Sequence, residues 1–437
     1  MARQIKKADT LIVLLNEKVM GWLYQGRGGR LRFRYDADYL NSGPGIPLSL
    51  SMPLLREEHG HDAIAPFLWG LLPDNEQVLR RWAAKYHVSP NNIFGLLSHV
   101  GEDCAGAVQF AAADRVEQAT RGGRDRLSEE DIAEILRNLR HDPALTRRPT
   151  DPGQFSLAGA QAKTALQYSS GRWYMPWGRE PTTHILKPPI PDLDGHVENE
   201  HFCQRLAQAV GLPVAATRIQ RFGDEPAIVV ERYDRQKGAK RLIRIHQEDA
   251  CQALGVHPAN KYENEGGPGI VAIMDLLNQS SRPVEDRRRF MAAVAFNYLM
   301  LGTDAHAKNY SLLLGAEGQV RLAPLYDMAS LLPYTRQRRA ERFAMRIDTH
   351  YRDYSIQPRH FERMARRCGY PPDELLGQIR EWGQILPEYA HAILSDLRAQ
   401  GIDTPLLSKL VESLEARSER LRRLFQSEGD SEFANRE

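Results

Sequence analysis

Residues 302–327, GTDAHAKNYSLLLGAEGQVRLAPLYD, open with an acid, Asp304, and reach an amide, Asn309, five positions on. They close with a second acid, Asp327, eighteen positions beyond the amide. Two short apolar runs, 312–314 and 320–325, lie between the polar clusters, and the Gly315-Ala316-Glu317-Gly318 segment between them reads as a hairpin turn. An Asp, an Asn five residues later and an Asp after a hairpin is the layout of a phosphoryl-transfer site. There the first acid accepts a hydroxyl proton, while the amide and the later acid hold magnesium. The plainer alternative, helix caps and turn residues at Asp304 and Asn309, predicts no further parts of such a site.

Further parts do occur upstream. Apolar residues at helical spacing over 270–277 and 286–301, among them Phe290, Val294, Tyr298 and Leu301, predict helices that deliver the chain into this stretch. The strongly apolar run 227–230 predicts a strand leading into Glu231-Arg232-Tyr233-Asp234-Arg235, where a kinase has its hinge. Thr183-His184-Ile185-Leu186-Lys187 predicts a short strand ending in a lysine, bounded by Pro188-Pro189. A lysine so placed can reach nucleotide phosphates, and Glu200, early in a helix predicted over 198–210, can fix it by an ion pair. Earlier still, 155–164 reads FSLAGAQAKT, with small residues around Gly159 that let backbone N–H groups approach phosphate. The Lys163-Thr164 pair suggests a P-loop, but that motif needs glycine directly before the lysine, and Ala162 stands there. The Walker A reading is excluded.

The remaining chain frames these parts. Residues 10–35 read as β structure, 47–55 as an edge strand, 63–88 as helical with a break at Pro73-Asp74-Asn75, 92–100 as a helix and 107–111 as a strand. Asp74 or Asn75 is placed to cap the helix after the break. Residues 118–126 read as a linker, Ser128-Glu129-Glu130-Asp131 as a capping pattern opening a helix over 132–139, and 141–154 as a loop. His246-Gln247-Glu248-Asp249 holds one histidine and no second ligand set, so it reads as a polar helix start and not a metal cluster. Beyond Asp327 come a basic cluster at Arg336, Arg338 and Arg339, helices predicted over 358–367, 372–382, 387–398 and 406–424, and a frayed polar tail from 428. Arg417, Arg420, Arg422 and Arg423 read as a solvated face of the last helix.

Composition narrows the class. At 437 residues, two or three packed units are expected. A net charge of +2 gives no sign of a nucleic-acid coat. Four scattered cysteines without a C-x-x-C pair argue against zinc and a disulfide framework. No apolar run reaches the roughly 18 residues of a membrane helix, and the basic start lacks a secretory pattern. A cytoplasmic protein is the expectation.

The order of parts carries more weight than any one of them: small-residue loop, strand lysine, helix glutamate, hinge strand, helical unit, Asp-x4-Asn, hairpin, Asp. That is the order in a two-lobed kinase. The segments SLAGAQAKTAL, THILKPP, VVERYDR, HQEDACQALG, KYENEGGPGI, GTDAHAKNYS and LAPLYDMAS resemble those of the HipA-type serine/threonine kinase toxins of bacterial toxin–antitoxin modules. PLSLSMPL, LLPDNEQVLRR and residues 101–109 extend the resemblance over nearly the whole chain. One departure is Ala162, where the best-known family member has an acidic residue.

The resemblance implies an α+β, two-lobed protein-kinase-like fold with a β-rich N-terminal subdomain (1–125), a nucleotide-binding N-lobe (126–235) and a mostly helical C-lobe (236–437). It implies Asp304 as general base, Asn309 and Asp327 as Mg²⁺ ligands, and Lys187 on the ATP phosphates under a loop of Ala158, Gly159, Ala160, Gln161, Ala162 and Lys163. Glu231, Arg232 and Tyr233 would line the adenine site, with His306, Lys308 and Tyr326 also at the nucleotide. Ser156 matches the serine that such kinases phosphorylate on themselves. The implied partners are a helix-turn-helix antitoxin, operator DNA mainly through that antitoxin, and a translation protein as substrate, with glutamyl-tRNA synthetase the family expectation. Two other readings share parts of this pattern: a catalytically silent kinase-fold corepressor and a small-molecule kinase.

Overall fold

In the computed structural model, residues 9–43, 45–112, 121–148, 155–191, 193–238, 241–334 and 341–433 are described, with side chains through Gln426. The basic cluster at Arg336, Arg338 and Arg339 lies outside them, as do parts of the expected 118–126 linker and 141–154 loop. The chain forms two compact units. The first comprises Met1–Pro191, Arg218–Ala259 and Ser311–Ala323, and the second Asp192–Thr217, Asn260–Tyr310 and Pro324–Glu437.

The first unit begins with an antiparallel sheet of β1 (Thr10–Leu15), β2 (Lys18–Gln25), β3 (Leu31–Tyr35), β4 (Glu58–Gly60) and β5 (Val108–Ala112), in the order β4-β3-β2-β1-β5. Alternation in β3 sends Leu31, Phe33 and Tyr35 inward and leaves Arg32 and Arg34 exposed. The inner face packs on the helices His61–Leu71 and Ile93–Val100, around Phe33, Phe67 and Phe110, each at most 1% exposed. Truncating any of these to alanine removes about 3–5 kcal/mol. Asn75 caps the helix Glu76–Lys85 by accepting from the amides of Gln77 and Val78. The expected edge strand over 47–55 is instead a turn, bridged between Ser49 and Met52. It is folded onto the Tyr35 hydroxyl, which donates to the Met52 carbonyl (2.6 Å) and accepts from the Leu48 amide (2.9 Å).

A second sheet holds β6 (Gly122–Leu127), β7 (Thr164–Ser169), β8 (Arg172–Gly178), β9 (His184–Lys187), β10 (Thr217–Phe222) and β11 (Glu225–Glu231), ordered β10-β11-β9-β7-β8-β6. The polar, glycine-bearing 122–127 segment, expected as linker, is an edge strand paired with β8 along its length. Glycine is what lets it pair there, because a Cβ on Gly123 would lie 2.6 Å from the Trp177 ring. Ser128 and Asp131 close the expected capping box, and the helix Glu129–His141 buries Ile132, Ile135, Leu136 and Leu139.

Beyond the two-strand ribbon β12 (Arg235–Lys237) and β13 (Leu242–Arg244), the expected polar helix start at 246–249 is a buried strand, β14 (His246–Asp249). It pairs with β15 (Ser311–Leu314), which turns at Ala316–Gly318 into β16 (Val320–Leu322), the expected hairpin. Only Asp249 keeps a helix role, capping Ala250–Ala253 with Gln252.

The second unit is helical: His196–Ala209, Ile270–Leu276, Pro283–Leu299, Pro358–Arg367, Pro372–Ala399 and Pro405–Phe433, with the ribbon β17 (Arg342–Ile347) and β18 (His350–Arg352). The two helices expected over 372–398 are one. Pro387 sits inside it, four residues after Gly383, and Leu386 and Ala390 on either side are fully buried. Tertiary burial there outweighs the lost N–H of the proline. The last helix continues to Phe433, past the expected start of a frayed tail. Among the described residues no helix is long and apolar enough to cross a membrane, and all four cysteines are buried free thiols.

Candidate active site

The second unit carries the residues expected to form the catalytic loop. The helix Pro283–Leu299 ends in a Schellman turn: the Leu301 amide donates to the Tyr298 carbonyl and the Gly302 amide to the Asn297 carbonyl. Leu301 occupies the left-handed position (φ 52°) where glycine is usual, a strain of about 1–2 kcal/mol. Arg417 holds this end in place. Its guanidinium donates to the carbonyls of Tyr298 (2.7 Å) and Leu299 (2.9 Å) and pairs bidentately with Asp353. Far from lying on a solvated face, Arg417 is 3% exposed. It acts as a C-terminal cation on the helix that launches the loop.

The loop itself closes on its own backbone. The Asn309 side-chain amide donates to the Asp304 carbonyl (3.2 Å), and the Asn309 and His306 amides donate to the carbonyls of His306 and Asp304. Asp304 is exposed, whereas His306, Lys308 and Asn309 are buried. Buried Nδ1 of His306 lacks a hydrogen-bond partner among the described residues. Burial lowers the pKa of this imidazole, with Asp304 opposing, Lys261 reinforcing and Asp327 opposing, so one ring feels both acids. The Tyr326 hydroxyl donates to the Lys308 carbonyl (2.6 Å), tying the segment of Asp327 to the loop. Asp327 is exposed and sits in the left-handed region (φ 57°), which aspartate tolerates better than most residues.

These donors suit a hard cation. Asn309 Oδ1 has no hydrogen bond among the described residues, and an amide oxygen and a carboxylate such as that of Asp327 are donor types that Mg²⁺ takes alongside water and phosphate. No cluster of three His, Cys, Asp or Glu side chains suited to a metal occurs among the described residues, so a cage built from the protein alone is absent.

The first unit carries the expected nucleotide parts. Lys187 ends β9, opposite Ile228 of β11, and is 7% exposed. Ser156 and the 158–163 loop pack on the N-terminal subdomain. The Ser156 hydroxyl donates to the Leu71 carbonyl (2.7 Å), its amide to the Asp103 carbonyl (2.9 Å), and the Asp74 amide to the Gly159 carbonyl (3.2 Å). Lys163 Nζ folds back onto the Ala158 carbonyl (2.6 Å). Gly159 has φ 103°, a backbone conformation that other residues adopt only with strain. Phe155 and Leu157 pin the loop in a small core with Ala165. Ala160 is exposed, and Ala158, Gln161 and Ala162 are half-buried.

Of the expected adenine-site residues, Glu231 is exposed at the end of β11 and Tyr233 donates its hydroxyl to Gln247 (2.5 Å). The Arg232 side chain is engaged elsewhere, buried between Asp234 and Asp103. In the second unit, Glu200 is 1% exposed in the helix His196–Ala209, with His196 Nε2 4.0 Å away.

Sequence reasoning missed two groups. One is Tyr262, whose hydroxyl donates to Asp304 Oδ1 (2.7 Å) from 42 positions away. The other is the buried cluster of Asp103 and Asp234 with Arg232, Arg235 and Arg244. Tyr262 stands in KYENEGGPGI, and Arg232, Asp234 and Arg235 stand in VVERYDR, but their partners lie too far along the chain for the spacing to show the contacts.

Comparison with known proteins then decides the family. The HipA N-terminal domain matches residues 11–111 and the HipA-like C-terminal domain residues 155–393. The chain belongs to the HipA family. Y4mE of Sinorhizobium fredii is 35% identical over 93% of this chain and 96% of its own length. The serine/threonine-protein kinase toxin HipA of Shewanella oneidensis is 29% identical over 87% of this chain and 88% of its own. A solved complex of Shewanella oneidensis HipA with HipB and operator DNA has a chain that superposes with a TM-score of 0.81 at 26% identity, covering 95% of this chain and 98% of that one. The HipA-type kinase fold, α+β, is therefore the fold of this chain, and its sequence is that of a HipA-type kinase toxin.

Proposed function

We propose that this HipA-family chain transfers the γ-phosphoryl group of ATP to a serine or threonine hydroxyl of a protein. The observation that carries the reading is the self-closed Asp304–Asn309 loop, which exposes one carboxylate beside a buried imidazole whose Nδ1 lacks a hydrogen-bond partner among the described residues. Asp304 orients the acceptor hydroxyl and takes its proton. Asn309 and Asp327 hold Mg²⁺, which when bound neutralises charge on the phosphates. Lys187 holds the α- and β-phosphates, steadied by Glu200, while Ala158, Gly159, Ala160, Gln161, Ala162 and Lys163 cover them. Glu231 and Tyr233 line the adenine site with the backbone of Arg232, and His306, Lys308 and Tyr326 shape the phosphate end.

The chain phosphorylates itself on Ser156, a residue that is 0% exposed with its hydroxyl on the Leu71 carbonyl. Phosphorylation there therefore requires the segment to lift out, and the added charge of about −1.5 to −2 keeps it from reseating. The acceptor protein is a translation protein, glutamyl-tRNA synthetase on the family expectation. A small helix-turn-helix antitoxin docks on residues 1–125, and the pair represses its operator with DNA contacts made mainly by the antitoxin. The Shewanella oneidensis complex of HipA with HipB and operator DNA supports this assembly.

Incubation with Mg-ATP and a bacterial lysate, followed by mass spectrometry, tests the reading. Phosphate on Ser156 and on a lysate protein, absent with Asp304→Ala, is expected. Phosphate on small metabolites alone would favour a small-molecule kinase, and none anywhere a silent corepressor.

A further inference from the structure

The carboxylate of Asp304 has one hydrogen-bond partner among the described residues, the Tyr262 hydroxyl at 2.7 Å. We infer that Tyr262 is the positioning residue of the phosphoryl-transfer site: it holds Oδ1 of the base so that Oδ2 alone receives the acceptor hydroxyl. This inference rests on the kinase reading above and deepens it.

Tyr262 is built into the site and is no side chain caught in passing. Its ring meets the His306 imidazole edge-to-face, with centroids 5.2 Å apart. The preceding Lys261 carbonyl accepts from the Ala307 amide (3.3 Å), which joins the two segments by their backbones. Its own carbonyl accepts from the amides of Glu265 and Gly267, closing a tight turn (both 3.0 Å). The next residue, Glu263, accepts from the Arg346 amide (2.7 Å) and pairs with its guanidinium (2.9 Å). Two glycines make room for this turn. A Cβ on Gly267 would lie 2.0 Å from the Asn260 carbonyl oxygen, and one on Gly269 would lie 2.2 Å from the Glu263 carboxylate. The KYENEGGPG segment is thus a rigid mount, and what it delivers to the catalytic loop is one phenol.

The chemistry of that phenol is specific. An exposed aspartate side chain can rotate its carboxylate, and each misdirected rotamer loses the in-line geometry that proximity catalysis needs. A neutral O–H donor on one oxygen fixes the plane without adding charge, so the other oxygen remains an acceptor for the incoming serine or threonine hydroxyl. The same contact could describe a gate, with the phenol standing where the acceptor hydroxyl must go. A gate has to swing away, and the edge-to-face contact with His306 favours the ring where it stands. The two roles predict opposite effects of removing one oxygen atom.

The test is Tyr262→Phe in the full-length chain, assayed by acid-precipitable label from γ-³²P-ATP with the soluble proteins of a bacterial extract as acceptor. Positioning predicts kcat reduced about tenfold, with KM for ATP and for the extract protein within about twofold of wild type. It also predicts no further loss when Tyr262→Phe is added to Asp304→Asn, because the phenol acts only through that carboxylate. An unchanged or increased kcat, a loss confined to KM, or multiplying losses in the double variant would overturn it. A thermal melt equal to wild type shows that the Phe variant is folded, and Tyr262→Leu, which keeps an apolar side chain but no donor, must reproduce the kcat loss. Wild-type chain that labels no protein would fell the kinase reading and this inference together. Active wild type with an equally active Phe variant fells the inference alone.

Discussion

Replacing Asp103 by asparagine should destabilise the first unit strongly. Asp103 Oδ1 accepts from Arg235 Nη2 (3.0 Å) and Arg244 Nε (3.2 Å), while Oδ2 accepts from the Thr182 hydroxyl (2.7 Å) and lies 3.6 Å from Arg232. Asp234 completes the cluster, accepting from Arg232, Gln247 and the Gly106 amide. All five ionic side chains are at most 6% exposed. Three guanidinium groups thus face two carboxylates, and Asp103→Asn leaves three against one in a dry site.

Breaking a buried ion pair on one side costs about 3–5 kcal/mol, which for a unit of this size is a melting shift of roughly 10 °C. Burial alone would raise the Asp103 pKa, but Arg235, Arg244 and Arg232 outweigh it and hold it far below the usual carboxylate range; the same balance holds Asp234 at about 2. Both folded pKa values are depressed, so the stabilisation is present above about pH 4 and is lost as pH falls through the folded values. Urea titrations of wild type and Asp103→Asn should therefore differ by a constant gap from about pH 5 to 8 that narrows below pH 4. A gap under about 1 kcal/mol at pH 7, the worth of a surface pair, would refute the reasoning.

Other outcomes follow from single contacts. Gly159→Ala should weaken Mg-ATP binding at least about tenfold by calorimetry, because φ is 103° and the loop must shift to accept a Cβ. Arg417→Ala should cost about 3 kcal/mol in a chemical melt, since it leaves buried Asp353 with Arg420 as its remaining cation and two carbonyls without their donor. Burial pushes the Glu248 carboxyl up to about 8, against bonds from the Ser49 hydroxyl and the Leu50 amide. Its folded pKa is raised, so its contribution is complete below about pH 4 and lost as pH rises through 8. Glu248→Gln should accordingly gain stability relative to wild type between pH 5 and 9, and a constant difference across that range would contradict the assignment.

What could be read in the chain is what neighbours in sequence decide. The hairpin at 315–318, the Ser128 capping box, the Asn75 cap and the strand ending at Lys187 depend on residues within a turn or two, and each stands where the pattern puts it. What escaped depends on distant partners. The 122–127 segment is a strand because β8 lies beside it, and 246–249 because β15 does. Arg417 looks like a surface arginine until Asp353 and the end of the helix Pro283–Leu299 enclose it. Pro387 would end a helix in isolation, yet burial at Leu386 and Ala390 carries it through. In the site, the Asp304 and Asn309 spacing is local and was legible, whereas the Tyr262 contact spans 42 positions and the Arg235–Asp103 contact 132.

The central claim is that Asp304 activates a protein hydroxyl for phosphoryl transfer. A single-turnover measurement with γ-³²P-ATP, Mg²⁺ and purified full-length chain, quenched over time and resolved by phosphopeptide mapping, tests it most directly. Label should accumulate on Ser156 in wild type and fall by a factor of about 10²–10⁴ with Asp304→Asn, with ATP affinity unchanged. Equal labelling of the two chains would contradict it.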